Sequence, residues 1–459
     1  MEYVNNSAGK GHTNKGSETK KIVTLAWPIV ISMLSFTAMD LADTLFVGWL
    51  GTTELAAVGL AATVVFLLQC FFMGSLQGVS IVSSQAVGAE DHGRARRAAV
   101  TGLFLAVPAG MLVVSMSLAD VYIFAIMGGE AAVQALAGDY FSLRLLGVPF
   151  FFVMLAICNH YQGIGDTRTA MKLNLLANGL NIALNPMLIY GIGFFPELGV
   201  EGAALATVAS QFVGMAAALI HFGLGQKSAV GFDADVARHI LHLGLPLGVR
   251  YLLGVTGFTV FTAFLARLGT VELAAHQIAL RVIAVSFLPG HGIAQAAGIL
   301  AGQRVGARNF DTIGAVLMAG LRISWALMGA LGLVFLLFPE VIAGVFVDDR
   351  ETIVLAATLL MVGAGFQLLD ATVMTLVQTL NGTGDTRFTM IVGVMTTWLI
   401  MLPSAWFMAF YLEMGAVGAW LAFLVELPVL SAILVWRFRS NRWRAKATES
   451  VDSFSDTSP

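Results

Sequence analysis

Long apolar runs alternate with short polar breaks along this chain, and most of the runs outlast any ordinary soluble helix or strand. A helix needs about 20 mostly apolar residues to cross the hydrocarbon core of a bilayer. Segments of that kind centre near residues 35, 66, 108, 151, 181, 212, 255, 285, 325, 366, 399 and 425, which predicts twelve spans. The expected class is an all-α polytopic membrane protein.

Basic residues orient the spans. With the N-terminus placed inside, nineteen of the 25 Lys and Arg fall on inner segments and two, Arg267 and Arg350, on outer loops. The other four, Arg144, Arg250, Arg281 and Arg322, lie in or at the edges of spans. This is the positive-inside asymmetry, so both termini are expected in the cytoplasm.

Composition agrees with this reading. The 459 residues are 58% hydrophobic and 12% charged, with a mean hydropathy of +0.83. Soluble domains carry about 25% charged residues and cannot hide so much apolar surface from water. The net charge of −3 decides little, because the charges are segregated. Cys70 and Cys158 both lie inside apolar runs, so no disulfide framework is implied. Residues 1–21 are polar and carry lysines, without the short apolar core and cleavage site of a signal peptide.

One half of the chain repeats the other. "LGTTELAA" (Leu50–Ala57) returns as "LGTVELAA" (Leu268–Ala275), and Pro28 returns as Pro246. Gln85 and Gly88 of "SSQAVGA" return as Gln303 and Gly306 of "AGQRVGA", all at a shift of 218; "GDTR" returns at a shift of 219. Four matches in register imply a duplicated six-helix unit. Six is even, so the lobes should be related by a pseudo-two-fold axis along the membrane normal, with substrate bound near the midplane between them. The expected divisions are a cytoplasmic tail over 1–21, an N-lobe over 22–223, a cytoplasmic linker over 224–240, a C-lobe over 241–437 and a cytoplasmic tail over 438–459. The end of that last tail is polar and expected to be disordered.

Against this apolar background a few polar residues stand out. Asp40 and Asp43 sit near the end of the first run, three residues apart and hence on one helix face. A charge at a helix centre costs roughly 2.5–3.5 kcal/mol on insertion scales, so such residues line a cavity or have a partner. The competing reading is a pair of hydrated acids at the outer interface. Asn174, Asn178, Asn181 and Asn185 recur on one face of the fifth span, which should therefore look into the lobe. Interhelical hydrogen bonding alone would also explain that stripe. Glu426 is a further acid within the last span.

His160 and His291 lack metal-ligand spacing, so no metal centre is expected on them. "GIGDTR" and "NGTGDTR" lack the lysine of a phosphate loop and read as tight cytoplasmic turns. No catalytic constellation points to an enzyme, and no ring-like motif points to a pore.

In order along the chain, "ADTLFVGWLG", "SSQAVGA", "GIGDTR", "NIALNP", "LAAHQIAL", "GIAQAAGILAGQ" and "NGTGDTR" resemble the multidrug and toxic compound extrusion (MATE) family, of the bacterial NorM/DinF-like type. The resemblance implies a secondary exporter of the bacterial inner membrane with twelve helices in two lobes. It would exchange Na⁺ or H⁺ for organic, often cationic and amphipathic, small molecules. It would do so by alternating access, as a monomer, with no cofactor beyond the coupling ion and no nucleic-acid partner. The alternative within transport is export of a lipid-linked or polysaccharide precursor, whose carriers usually have more helices and a more basic cavity.

By the same resemblance, Asp43 is the cation-binding carboxylate of the first helix, and any Na⁺ would sit there. Asn181, Asn185 and Thr207 match other positions of that site, as does Asn159, while Asp40 lies outside the motif. Some members carry an aspartate where Asn185 stands, which throws more weight on Asp43. Asp370 matches a tenth-helix aspartate implicated in coupling in NorM-like members. Their seventh-helix glutamate has no counterpart in "RYLLGVTGF". Asp370 is therefore expected to pair with Arg281 in the same lobe, with Arg250 reaching for an interface instead. His276 and Gln277 match a family motif, though packing or capping would explain them equally. A carboxylate among neutral oxygens suits either ion, so Na⁺ and H⁺ both stay open.

Overall fold

A computed structural model describes residues 15–128, 130–193, 195–224 and 231–455. Residues 1–14 of the first tail, 225–230 of the linker and 456–459 of the last tail lie outside the described residues, as do 129 and 194. Among the described residues every regular element is helical. The first half holds α1 (Lys15–Gly48), α2 (Thr52–Gly88), α3 (His92–Ser115), α4 (Asp120–Met127), α5 (Ala131–Leu145), α6 (Val148–Gly163), α7 (Thr167–Ile189) and α8 (Gly199–Leu224). The second holds α9 (Ala234–Leu268), α10 (Thr270–Gly306), α11 (Ile313–Leu337), α12 (Pro339–Ala343), α13 (Arg350–Gly382), α14 (Thr386–Thr396), α15 (Leu402–Trp406), α16 (Gly415–Arg439) and α17 (Arg442–Ser455).

Ten helical segments among the described residues are long and apolar enough to cross a membrane, and the α5–α6 pair, bent by 45°, makes an eleventh. Pro149 sits in the first turn of α6, where its missing N–H cannot continue the α5 ladder. The remaining predicted span is α7, whose four asparagines lower its hydropathy. The span predicted near residue 399 runs from α14 through two π-helical turns, Thr397–Met401 and Phe407–Tyr411, that flank α15. Each of the twelve predicted centres thus falls on a helical segment.

The two largest apolar clusters respect the duplication. One draws on buried residues between 47 and 204, the other on buried residues between 261 and 451. Between them the halves meet through small residues. Gly74 and Gly78 of α2 face Gly244 and Gly248 of α9 so closely that a Cβ on either α2 glycine would overlap the α9 backbone. This is small-xxx-small packing, in which dispersion between close backbones replaces a hydrophobic driving force absent in lipid.

The sequence repeat becomes a reciprocal clasp. Gln85 Nε2 donates to the Gly382 carbonyl at 3.1 Å, and Gln303 Nε2 donates to the Gly163 carbonyl at 3.2 Å. A Cβ on Gly88 would overlap the Gln303 backbone, and one on Gly306 the Gln85 backbone. Gln295 Nε2 adds a bond to Gln162 Oε1 at 2.9 Å. These contacts cluster at the end of the bundle that carries Arg94, Arg96, Arg97, Arg304 and Arg308.

Two terminal segments depart from expectation. α1 begins at Lys15, within the stretch read as tail, and its Glu18 is buried against Arg304 of the other half at 2.7 Å. The last stretch is not disordered through Ser455: α17 docks on the basic end. Trp443, Ala447 and Val451 recur every four residues and are buried in the second half's apolar cluster. Arg444 pairs with Asp311 at 2.8 Å and Asp452 with Arg308 at 2.7 Å. Ser450 Oγ crosses to the first half, donating to Gln85 Oε1 at 2.8 Å. Three apolar positions suffice because the rest of α17 faces charge rather than lipid.

The "GDTR" stretches are tight turns, with Gly165 and Gly384 at φ of 91° and 89° where a side chain would be strained. Asp166 caps α7 by accepting the Thr169 N–H at 3.1 Å. Asp385 instead takes a bidentate pair from Arg437, at 2.7 and 3.1 Å.

Candidate functional site

α1, α7 and α8 converge at the end of the first half opposite the basic end. The asparagine stripe of α7 does face inward, with all four side chains buried. Its members divide by depth. Near the basic end, Asn174 Oδ1 meets only the Cys158 thiol, at 3.9 Å, and Asn178 Nδ2 donates to Ser35 Oγ of α1 at 2.8 Å. These two tie helices together.

The other two build a site. Asn185 Nδ2 donates to Asp43 Oδ1 and, at 3.2 Å, to Asn181 Oδ1. Asn181 Nδ2 donates to Thr207 Oγ1 of α8 at 3.1 Å, and the Thr207 hydroxyl donates to the Ala203 carbonyl at 3.1 Å. Every donor in this chain is committed, and the half-buried Asp43 carboxylate is its terminus. One acceptor is left over: Asn185 Oδ1 is buried and has no hydrogen-bond partner. Buried polar atoms nearly always find a partner, so an orphaned amide oxygen beside a carboxylate is where a cation would gain a ligand. Na⁺ is a hard cation served by oxygens, and the residues present fit it. A proton needs only Asp43 itself.

Asp40 is exposed on the same helix and contributes charge rather than a contact; Asp43 feels it as like charge. Asn159 does not join this network. Its Nδ2 donates to the Leu76 carbonyl at 3.0 Å and fastens α6 to α2, because α6 presents it to that backbone instead of to α7.

In the second half the expected Asp370–Arg281 pair is not formed. Arg281 is exposed on α10, where its long stem carries the guanidinium away from the lobe, and no ion pair involves Asp370 among the described residues. The charge that acts on Asp370 is Glu426 of α16, a like charge. Glu426 is buried and accepts from Thr397 Oγ1 at 2.9 Å, at the start of the first π turn. π turns recur at functional positions because they displace one residue from the helical ladder. Arg250 does not reach outward. Its Nε lies 3.1 Å from where a Cβ on Gly393 of α14 would be, so the guanidinium rests against a helix left bare by glycine.

The remaining candidates have packing roles. His276 is buried among Phe258, Phe261 and Trp420 and shares a 3.2 Å bond with Thr262 Oγ1; Gln277 is exposed. His160 bonds Ser83 Oγ at 3.0 Å, and His291 stacks on Phe287.

Sequence reasoning missed the wall opposite Asp43. Tyr140 and Arg144 lie one turn apart on α5, and Arg144 meets Gln211 of α8, one turn beyond Thr207. Their i, i+4 spacing on a span edge was the available signal. Tyr190 was also missed: its hydroxyl donates to the Phe46 carbonyl and its ring stacks on Trp49, fixing the ends of α7 and α1 together.

Comparison with known proteins places this architecture. The family model MatE matches residues 28–187 and 246–407, one block in each half. "Probable multidrug resistance protein NorM" of Thermotoga maritima is 29% identical over 93% of this chain and 94% of its own. The protein of the same name from Rhizobium meliloti is 31% identical over 90% of this chain and 91% of its own. A MATE crystallised in the straight conformation superposes with a TM-score of 0.84 at 25% identity, covering 94% of this chain and 97% of that one.

Proposed function

The chain belongs to the MatE family, and on that premise we propose that it is a secondary active multidrug efflux transporter. It exchanges Na⁺ or H⁺ for organic, often cationic, compounds by alternating access. The observation that carries this reading is the Asp43–Asn185–Asn181–Thr207 chain, which ends on one carboxylate and leaves the Asn185 amide oxygen free for a ligand. Relatives named for multidrug resistance over nine-tenths of the chain support the substrate class.

By the positive-inside rule the basic end and both termini face the cytoplasm, and the bacterial relatives support a place in the inner membrane. The clasp of Gln85 and Gln303 then seals the cytoplasmic side, and the Asp43 cluster lies toward the outer side. The moving bodies are the N-lobe, 22–223, and the C-lobe, 241–437, acting within one monomer. Between them, Gln77, Gln295, Gln378 and Asn381 line a small pocket beside the clasp, together with Ser80 and Ser84.

Cation uptake at Asp43 removes a charge that otherwise needs hydration, so the loaded lobe tolerates closure and the empty lobe resists it. Drug and ion thereby take opposite directions on alternate strokes. Expression in an efflux-deficient host tests the proposal. The wild type is expected to raise resistance to cationic dyes, and Asp43→Asn to abolish that at equal expression. Resistance unchanged by Asp43→Asn would overturn it.

A further inference from the structure

We propose that Arg144 is a resident counter-charge of the Asp43 site, a tethered competitor that lowers its affinity for the coupling ion so that the ion can leave. The inference rests on the reading of Asp43 as the ion carrier and adds a residue to it. It starts from an anomaly: a guanidinium inside the first half, on a helix break, where an uncompensated charge is costly.

Arg144 is held by a purpose-shaped seat. It lies in the last turn of α5, before the bend into α6. Its guanidinium donates to the Gln211 side chain of α8; with the amide turned to satisfy both neighbours, Gln211 oxygen takes Arg144 Nη2 at 3.2 Å and Gln211 nitrogen donates to the Gly147 carbonyl at 3.0 Å. Gly147 makes this possible, since a Cβ there would overlap the Gln211 amide. Gln211 and Thr207 are four residues apart on α8, hence on one face. The wall that seats Arg144 is therefore the wall that ends the Asp43 chain at Thr207. Tyr140 is buried one turn before Arg144, on the same face of α5.

Arg144 forms no ion pair with Asp43, yet its seat on Gln211 sets the guanidinium on the same α8 wall, one turn from the Thr207 that ends the Asp43 chain. The groups that act on Asp43 are Arg144 on α5, Asn185 on α7 and Asp40 on its own helix; α8 faces the cluster with Thr207 and Gln211, which are uncharged. The separation matters. A contact pair would occupy the carboxylate oxygens that an ion needs. A guanidinium held on the neighbouring wall stabilises the empty carboxylate while leaving its oxygens open to an ion. A carboxylate withdrawn from water with no counter-charge nearby favours its loaded form. Arg144 offsets that.

The test uses the full-length protein in proteoliposomes, with transport of a cationic dye measured against pH at fixed Na⁺ and against Na⁺ at fixed pH. Arg144→Gln is expected to raise affinity for whichever ion drives transport by about tenfold, the effect of losing one nearby opposite charge. For H⁺ this moves half-maximal transport about one pH unit upward, since the site then stays loaded at higher pH. For Na⁺ it lowers the half-saturating concentration by the same factor. Maximal turnover falls in either case because release slows. Arg144→Lys keeps the charge and should restore wild-type ion affinity, a rescue that a merely structural arginine would not give. Gln211→Met, which unseats Arg144 without removing it, should shift affinity in the same direction by less.

Ion affinity unchanged in Arg144→Gln, or shifted equally in Arg144→Lys, overturns the inference. Coupled transport surviving in Asp43→Asn would instead strike the proposed function, so the two failures are distinguishable.

Discussion

Asn185 decides what the proposed ion site can be. Its amide nitrogen is shared by Asp43 and Asn181, which fixes the orientation of the group and aims the oxygen at no donor. Replacing Asn185 with Asp would add a second acid to the same small volume, and two neighbouring carboxylates bind a cation more tightly than one. Asn185→Asp is therefore expected to lower the ion concentration for half-maximal transport by about tenfold and to slow turnover, read from initial rates in proteoliposomes. The buried Asp385–Arg437 pair makes a second, structural prediction. Asp385→Asn leaves the Arg437 charge beside Phe388 without its partner and should destabilise by about 3–5 kcal/mol, seen as a lower unfolding temperature in detergent. The double variant with Arg437→Gln should lose less than the single one. Asp43 and the asparagines were readable in the sequence because polar residues in an apolar run announce themselves. Arg144, Gln211 and the absence of an Asp370–Arg281 pair were not. Spacing tells which residues share a face of one helix, but not which neighbouring helix that face meets, and an arginine at a span edge looks the same whether it turns in or out.

The helices α2 and α10, each of 37 residues, are the longest helices among the described residues and carry the two glutamines of the clasp between halves. Their places along the chain followed from hydropathy and from the repeat, because lipid demands long apolar runs and lets little else span it. α17 escaped that logic. It lies on the basic end, where amphipathic surface replaces lipid as the environment, and three residues, Trp443, Ala447 and Val451, carry its docking. Its Ser450 bonds Gln85 of the first half while Arg444 and Asp452 hold the second. Truncation after Arg439 should therefore loosen the sealed side. In inside-out vesicles, a Ser84→Cys variant is expected to react faster with an impermeant thiol reagent when α17 is deleted. Equal reaction rates would show that α17 lies on the seal without holding it.

The duplication explains the whole molecule better than any single motif. "SSQAVGA" and "AGQRVGA" are matching positions in sequence, and in the folded chain they grip one another's helices by equivalent bonds to Gly163 and Gly382. A symmetric clasp can open by one relative rotation of the lobes, with each broken bond matched by its counterpart. The clasp gives a direct handle on movement. The Ser84 Cβ lies 3.1 Å from where a Cβ on Gly302 would sit, close enough that small adjustment admits a disulfide. A Ser84→Cys, Gly302→Cys double variant should stop transport when oxidised and regain it on reduction, while the oxidised wild type, whose Cys70 and Cys158 are buried and unpaired, is unaffected. Transport through the oxidised double variant would rule out opening at this end.

All of this turns on the carboxylate of α1 carrying the ion that drives the lobes. Proteoliposomes containing the purified protein, loaded with a cationic dye and subjected in turn to a pH jump and a Na⁺ jump, measure that carriage. Gradient-driven dye movement is expected in the wild type for one of the two ions and none above background in Asp43→Asn. Gradient-driven movement of equal rate in Asp43→Asn would contradict it.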